Sequence, residues 1–503
     1  MQKKSSQSCI TVKIVLLLIS IQFVCFFCAA QSYLGYHSSS YTGVYGILNN
    51  PADILNHRFR ADLNVAGLSA AAGNNVFSFR YKNRNDDNGG FSFADPITKN
   101  GKANINADVF GPSLLIRLSD KHAFAITTRV RTMVNAHGIS HPILNLLAQN
   151  HIDASLINNR LALSNMAVNV HGWKEVALTY SRQIVNTDYG VWKLGASVKY
   201  LGGLAALSFG TNKLSFTYDS VPDPAGGTGK KDAIINNTGT VRLDYTKIPD
   251  SLNTVNEYLS FKNSGLGLDV GVSYEYRDEM QVYETAYSDR TANYIWRIGA
   301  SITDIGFIRY NKKDMDGFAV NFAGSTYLID QLTAPSDSSN GEQIGNYYKN
   351  LFNARTEPAA LTMQLPTTLH LSYDRFFNKV VGIQAQVNIP LMFSRINFYT
   401  GNYNPVSVSV TPRAEISWAG VYMPLSYNSI FGFQAGVAMR LGPLVIGSAS
   451  IIKARFAKTK SADVYFILRV PFFGYRPYKN KSYGQSSPKL TRKQRRELNC
   501  PTQ

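Results

Sequence analysis

Three of the four cysteines lie within the first 28 residues, and the fourth, Cys500, stands three places from the end. Everything folded between them must do without a disulfide or a thiolate metal site, so backbone pairing and burial have to hold it. Charge is also scarce. Asp, Glu, Lys and Arg make up 17% of the 503 residues, against roughly 25% in an ordinary soluble protein. Beyond residue 30 no apolar run approaches the roughly 18 to 20 residues of a spanning helix, which excludes a polytopic helical membrane protein. Disorder throughout is excluded in turn, because 45% of the residues are hydrophobic and 12% aromatic.

Catalytic signatures are missing as well. There is no G-x-S-x-G elbow and no H-E-x-x-H pair, and the eight histidines are scattered. His137 and His141 are four apart, but the intervening Gly138-Ile139-Ser140 and the following Pro142 read as loop, and no third ligand is evident. Gly226–Lys231 has the look of a phosphate loop, yet Pro224 stands where its first glycine belongs and no Ser or Thr follows Lys230. Asp314-Met315-Asp316-Gly317 and Asn85-Asp86-Asp87-Asn88 could touch Ca²⁺ in an exposed loop, but neither completes an EF-hand. No cofactor and no enzyme activity are expected.

The first 30 residues read as an export signal. Lys3, Lys4 and Lys13 precede an apolar stretch at 14–28, and small residues follow it, with cleavage expected between Ala30 and Gln31. The formal charge is +18. The last 28 residues, 476–503, contribute +7 through eight Lys and Arg against Glu497. This tail is polar and extended or disordered on its own. Nucleic-acid binding fits poorly behind an export signal. Two readings stay open: a docking element for an acidic partner or anionic headgroup, centred on Lys489, Arg492, Lys493, Arg495 and Arg496, and a merely solvated tail.

The body alternates apolar and polar residues with period two. Over 268–276, Leu268, Val270, Val272, Tyr274 and Tyr276 oppose Asp269, Gly271, Ser273 and Glu275. The same pattern holds at 296–303, 381–389, 431–440 and 463–470, and in shorter form at some thirteen other places, including 190–204, 206–219, 305–311 and 443–453. Successive strand side chains point to opposite faces, so each segment has a dry and a wet face. Turn-rich stretches at 83–90, 222–232, 335–343 and 402–405 separate them, while 142–158 and 343–355 read as loop helices.

Alternation alone does not say which face is outside. The export signal, the Gly, Ser, Gln and Asn of the wet faces, and aromatics at segment ends (Tyr274/Tyr276, Trp296, Phe376/Phe377, Phe431/Phe433, Phe472/Phe473) favour a membrane barrel. In lipid an open sheet edge would leave backbone groups unpaired, so the sheet must close. The expectation is an all-β fold: a transmembrane antiparallel up-and-down β-barrel of about 14 strands, 12 to 16 allowed, spanning 58–475. Asp269, Glu275, Arg297, Gln384, Gln386, Arg440 and Arg469 are expected to face the lumen as a hydrogen-bond and ion-pair network.

After the signal the chain reads SSSYTGVYGILNNPADIL, with Asn50-Pro51-Ala52 just ahead of the first strand. Together with GLGLDVGVSYEY at 265–276, WRIGASITDIGFIRY at 296–310 and LPTTLHLSYDRFF at 365–377, this resembles the FadL-type and PorV-like outer-membrane barrels of Bacteroidota. The resemblance implies a 14-stranded outer-membrane barrel with an N-terminal segment, here 31–57, folded into the lumen as a plug. It puts Asn50, Pro51 and Ala52 in that plug or its hinge. In FadL-type members the plug gates hydrophobic substrates that leave sideways through the wall, whereas PorV-like members serve secretion and surface assembly. The basic tail and the insertions at 83–104, 220–238 and 325–360 depart from a simple uptake channel. The primary expectation is therefore a non-enzymatic subunit of a machine for secretion, assembly or gliding, with outer-membrane lipid and envelope proteins as partners. The alternative is a FadL-like channel for a hydrophobic small molecule.

Overall fold

The computed structural model describes residues 33–56, 59–78, 101–139, 158–163, 165–187, 189–223, 228–247, 261–277, 294–332, 341–357, 360–378, 380–391 and 401–474. The export signal, the basic tail with Lys489, Arg492, Lys493, Arg495 and Arg496, the candidate helix at 142–157 and the Asn85–Asn88 cluster lie outside these residues.

Fourteen antiparallel strands close into a barrel. They are β1 (Phe59–Asn74), β2 (Gly101–Phe110 continuing as Ser113–Ser119), β3 (His122–Ile139), β4 (Ala167–Asn186) and β5 (Gly190–Pro222). Then come β6 (Asn263–Tyr276), β7 (Trp296–Tyr310), β8 (Leu361–Gln364 continuing as Thr368–Phe376), β9 (Val381–Pro390) and β10 (Ser407–Glu415). The last four are β11 (Ala419–Tyr422 and Leu425–Asn428), β12 (Gly432–Ala435 and Val437–Leu441), β13 (Leu444–Ser448) and β14 (Ser461–Gly474). Each strand pairs with the next, and β1 pairs with β14 from Phe59↔Gly474 to Gly73↔Ser461, which closes the ring. Up-and-down order with closure pairs the strands around the ring and removes the sheet edges along most of the wall.

The alternation now acquires a direction. On β6, Asp269, Ser273 and Glu275 are 1 to 2% exposed, whereas the neighbouring Leu266 is 67% exposed. Leu178, Val198, Leu68 and Ile446 are likewise exposed on the outer face. Buried polar residues inside and large apolar residues outside reverse the pattern of a soluble protein, as a lipid-facing wall requires. No helix among the described residues is long and apolar enough to cross a membrane; the strands do so. An aromatic girdle sits at the end that carries the short turns. Trp192, Tyr274, Trp296 and Tyr276 are in ring contact across β5, β6 and β7, with Tyr276 stacked on Trp296 and the other pairs tilted. Phe377 and Trp418 stand exposed at the same end.

Some elements depart from the sequence expectation. Segments 190–204 and 206–219 form one long strand, and 296–303 and 305–311 form one strand bent at Asp304. The segment 443–453 divides: the strand stops at Ser448 and a helix, α2 (Ile451–Phe456), follows. Phe376 and Phe431 leave the girdle, both buried. Phe376 lies under the Arg413 guanidinium, 4.6 Å from its ring centroid, and Phe431 fills the space that Gly73 leaves beside it.

At the opposite end the wall is extended. The outer half of β5 continues into a sheet with Lys230–Thr246, which pairs in turn with Met315–Ala323 and Tyr327–Leu328. Leu163, Phe216, Tyr218, Ile234 and Ile329 form its apolar cluster. The helix α1 (Gly341–Leu351), expected from sequence at 343–355, ties to this sheet through Lys349 Nζ and Asp316, 2.6 Å apart. That pair occupies one carboxylate of the Asp314–Gly317 cluster, and among the described residues no group of His, Cys, Asp and Glu is arranged to hold a metal.

The outward assignment is open to a direct check. Val270→Arg, on the outer face of β6, should destabilise the barrel by roughly 2–4 kcal/mol in a bilayer if that position is near mid-depth. Denaturant unfolding in lipid vesicles measures this, and an unchanged midpoint would deny that the face meets lipid.

Candidate functional site

Residues 33–56 are almost wholly buried and run through three short 3-10 turns: Tyr36–Ser38, Gly43–Leu48 and Pro51–Leu55. Their partners come from inward-facing side chains of strands all around the ring. On one side Tyr465 Oη donates to the Leu34 carbonyl (2.7 Å), the Val44 amide donates to Asp62 (3.0 Å), and Tyr45 Oη donates to Asn64 (2.8 Å). On the other side Ser39 Oγ donates to Glu415, and Ser181 Oγ to the Ala52 carbonyl (3.3 Å). Tyr33, Tyr36 and Tyr45 pack edge-on against each other and against Tyr465 and Tyr422. Such tilted aromatic pairs add about 0.5–1.5 kcal/mol each beyond their burial.

The Asn50-Pro51-Ala52 turn is held most closely. Asn50 caps the third 3-10 turn: its Oδ1 accepts from the Ala52 amide at 3.0 Å, and Pro51 follows at the first position, where no N–H is needed. Its Nδ2 donates outward to the Val272 carbonyl on β6 (3.0 Å). The wall opposite is bare. Gly195 on β5 and Gly271 on β6 are cross-strand partners, and Gly299 on β7 lies beside them. A Cβ on Gly195 would come within 2.4 Å of Ala52 and Pro51 backbone, and one on Gly271 within 2.1 Å of Asn50 Oδ1. One on Gly299 would meet Asn50 Nδ2 at 3.1 Å. Three glycines on adjacent strands thus form a cradle that any side chain would fill. Ser301 Oγ donates to the Asn49 carbonyl, and Asn49 Nδ2 to Gln386 (3.1 Å), on either side of the turn.

Around this segment lie two groups of buried ion pairs. Near the short-turn end, Arg297–Asp374–Arg413–Glu415 forms a chain, with Arg413 2.8 Å from Asp374 and 3.2 Å from Glu415. Lys193 and Arg277 share Glu275 there. Deeper in, Lys199 bridges Asp269 (2.9 Å) and Asp304 (2.6 Å), Arg131 meets Asp304 at 2.7 Å, and Arg129 joins Asp108 and Glu175. The seven residues singled out from sequence for the lumen are all buried. Asp269, Glu275 and Arg297 belong to these pairs, and Arg469 pairs with Asp62 at 3.1 Å. Arg440 caps a turn, donating to the carbonyls of Ile416, Ser417 and Ala419, with its guanidinium 4.3 Å from the Tyr41 ring centroid. Gln386 holds Asn49, and Gln384 is buried in the same face of β9.

Asp304 is the centre of the deeper group. It has φ +59°, in the left-handed region, where β7 skips register between Ile302 and Ile305. Such a residue costs about 1–3 kcal/mol in strain. Its amide donates to Asp269 (2.7 Å), its carbonyl accepts from Thr367 (2.8 Å), and its carboxylate holds Arg131 and Lys199.

Sequence reasoning missed two parts of the site. The first is an apolar patch on the inner wall: Met133, Trp173, Leu201, Ile308, Tyr310 and Met363 are buried in one cluster, with Leu361 and Leu365 beside them. Trp173 takes the Arg131 guanidinium 4.8 Å from its ring centroid, so the patch adjoins the ion pairs. The second is the stretch 401–405, read from sequence as a turn. Asn402 donates to His171 (2.6 Å) and to the Gln364 carbonyl, and Asn135 Nδ2 donates to the Tyr403 carbonyl (3.0 Å). The signal that could have found the patch is an apolar residue at a wet-face position. Met133 shares its strand parity with Arg129 and Arg131, and Trp173 shares its parity with Glu175. An apolar groove of about 420 Å³ lies elsewhere, lined by Trp192, Tyr274, Ile298, Leu371 and Tyr373. These side chains face outward, so lipid and not the lumen fills it.

The fold and the site define a transmembrane β-barrel whose residues 33–56 pack against inward-facing side chains of its wall. By sequence the chain belongs to the family described as "Family of unknown function (DUF5723)", whose model matches residues 51–449. No curated protein matches it. Among solved structures it is similar to a Pseudomonas aeruginosa FadL homologue, at 12% identity over 89% of this chain and 100% of that one, with a TM-score of 0.41. It is also similar to the Ralstonia pickettii toluene transporter TbuX, at 9% identity, 85% and 93% coverage and a TM-score of 0.39. A TodX monoaromatic hydrocarbon channel deltaS2 mutant matches at 10% identity, 88% and 96% coverage and a TM-score of 0.38.

Two substitutions test the geometry. Gly271→Val should expel the Asn50 turn while leaving the barrel folded. Limited proteolysis should then cut within 33–56, and unchanged protection would mean that the cradle does not hold the segment. Asp62→Ala leaves Arg469 fully buried without its carboxylate and should cost about 3–5 kcal/mol, read as a lowered denaturant midpoint in micelles.

Proposed function

We propose that this chain is an outer-membrane conduit for a hydrophobic small molecule, and that residues 31–57 are its plug, with Asn50, Pro51 and Ala52 as the seat. The observation that carries this reading is the inner-wall patch around Met133, Trp173 and Ile308. A lumen that only carried water and ions would be polar throughout. An apolar patch beside a few placed polar groups is instead the composition of a small-molecule site. The plug lies between that patch and the short-turn end, and its Asn50-Pro51-Ala52 turn meets the wall through single hydrogen bonds that a local shift can break one at a time. The order Asn50-Pro51-Ala52 ahead of the first strand, which resembles FadL-type barrels, supports the same reading. Export by residues 1–30, with the short turns and both barrel termini on the periplasmic side, completes it.

The reading as a subunit of a secretion or assembly machine rests on the tail at 476–503 and on surface loops. The tail lies outside the described residues, and parts of the insertions fold into the sheet around Lys230–Thr246 and into helix α1, so the conduit takes precedence.

Deleting 31–56 should raise small-solute conductance in planar bilayers, and unchanged conductance would remove the plug. Trp173→Ala should weaken retention of an apolar probe, a fluorescent fatty acid or a monoaromatic hydrocarbon, by about tenfold, the scale of a lost aromatic contact and its buried area. Equal retention by the variant would remove the patch as a ligand site.

A further inference from the structure

The wall is thinnest in strand at β13, which ends at Ser448 after five residues. Beyond it, towards the loop-bearing end, Gly432–Ala435 of β12 and Ser461–Val464 of β14 have no strand between them. The helix α2 (Ile451–Phe456) packs against both instead. Asp463 binds the break from inside, accepting from the Ala449 amide (2.7 Å), Ser448 and Ser450.

The outer side of this helix is unusual in two respects. Ile451 is 53% exposed and Phe456 74% exposed, and the exposed Arg455 lies between them around the helix. The adjoining Phe433 is 52% exposed on the same outer wall. The chain from 451 to 460, IIKARFAKTK, also carries Lys453, Arg455, Lys458 and Lys460 and no acid. Among the described residues none of the four makes an ion pair. Lys453 Nζ and Lys460 Nζ reach only carbonyls, of Phe433 and Asn75, and Arg455 lies 5.9 Å from the Phe456 ring centroid. Burial and the charge of Lys460 both push the Lys453 ammonium below its usual range. Lys102 adjoins through Asn75, whose amide and side chain bond its backbone. Among the described residues the rim here is a set of crowded cations with no counter-charge, beside exposed apolar side chains at the edge of the lipid-facing belt.

From this juxtaposition we propose that α2 and the residues up to Lys460 bind the phosphate-bearing headgroup of a membrane lipid in the leaflet at the loop-bearing end. Ile451 and Phe456 enter the acyl region beside Phe433, and Arg455, Lys458 and Lys460 meet the phosphates. An amphipathic helix lying in the interface gains from both burial and anionic headgroups. Arg offers a bidentate fork to a phosphate, and Lys a point charge. The seat also covers the place where the strand ladder is interrupted, so the lipid completes the wall there.

The test uses the full detergent-purified chain, whose folding is read by heat-modifiable gel migration. Binding of bisphosphorylated lipid A is measured by native mass spectrometry, with phosphatidylcholine, whose single phosphate is balanced by its choline, as the net-neutral control. The variant Arg455→Gln/Lys458→Gln/Lys460→Gln should lose about a hundredfold in lipid A affinity, from the loss of three near-surface charges, and keep its retention of phosphatidylcholine. Ile451→Ser/Phe456→Ser, which leaves the charges in place, should lose retention of both lipids. Equal lipid A affinity in the folded charge variant overturns the proposal. So does displacement of lipid A by millimolar inorganic phosphate, which would make the rim a simple anion site. Neither result bears on the lumenal conduit, whose probe binds on the other side of the wall.

Discussion

The pairing of β1 with β14 is the constraint on which the rest depends. It joins the ends of the barrel sequence, from Phe59↔Gly474 to Gly73↔Ser461, and closes the ring, with a break in the ladder only beyond Ser448, where α2 stands between Gly432–Ala435 and Ser461–Val464. In lipid each unpaired backbone group costs several kcal/mol, so the ring must be closed by strand pairing or, beyond Ser448, by the packing of α2. Closure then dictates the two faces. With period-two side chains, every strand gives its polar set to the inside and its apolar set to the membrane. The inside of such a ring is a polar cylinder that must be filled or wetted. Here residues 33–56 pack against the inner wall, and their aromatic core of Tyr33, Tyr36 and Tyr45 is completed by Tyr422, Tyr465 and Ile467.

Filling a polar cylinder with protein removes water from charged groups, and the structure answers with pairing. Buried ions are expensive alone, and a buried pair gives little net stability over apolar residues of the same size. Its value lies in specification. Asp62 takes both Arg469 and the Val44 amide, so one carboxylate fixes the wall and the segment together. Glu415 does the same for Arg413, Tyr422 and Ser39. Asp304 spends backbone strain at a register skip to bring its carboxylate between Arg131 and Lys199. Opposite the skip β8 itself breaks at Pro366, which has no N–H to offer the ladder. The two irregularities face each other, and Thr367 Oγ closes the gap between them.

These distinctions decide what was legible in the sequence. Alternation is a one-dimensional signal, so the strand faces of 268–276 and 463–470 could be read directly. Asp269, Glu275, Arg297 and Arg469 could be put on the wet side in the same way. Closure near 14 strands follows from the number of such segments. What failed was what depends on the third dimension. Gly195, Gly271 and Gly299 lie far apart in sequence and look like ordinary strand glycines, and only the register makes them one cradle. Met133 and Trp173 break the polar rule of their own strands, but a single apolar residue on a wet face carries little weight until its neighbours across the lumen are known. The loss of β13 after Ser448 was hidden because an amphipathic helix of six residues imitates a strand when only apolar content is counted. Phe376 and Phe431 were assigned to the girdle by position at a segment end, yet one more or one fewer residue turns such a side chain inside.

The way the segment is held bears on how a lumen of this kind can open. Its aromatic half is buried against the wall through Tyr33, Tyr36 and Tyr45, and removing it would expose a large apolar surface and strand Asp62 and Glu415 without their partners. At about 25 cal/mol per Å² of apolar area, plus the unpaired charges, that is a penalty beyond thermal fluctuation. The other half is attached differently. Asn49, Asn50 and Ala52 meet the wall almost entirely through single neutral hydrogen bonds to Val272, Gln386, Ser301 and Ser181, each worth about 0.5–1.5 kcal/mol net. A bare glycine surface offers them no interlocking side chain. The turn is thus lightly seated between the tyrosine core on one side and, on the other, Ile54 and Leu55, which pack in the same buried cluster. Motion that costs little is confined to the Asn50-Pro51-Ala52 turn, on the side of the segment that reaches β5, β6 and β7. Opening by displacement of the turn, with the tyrosine core left in place, is the route these contacts permit.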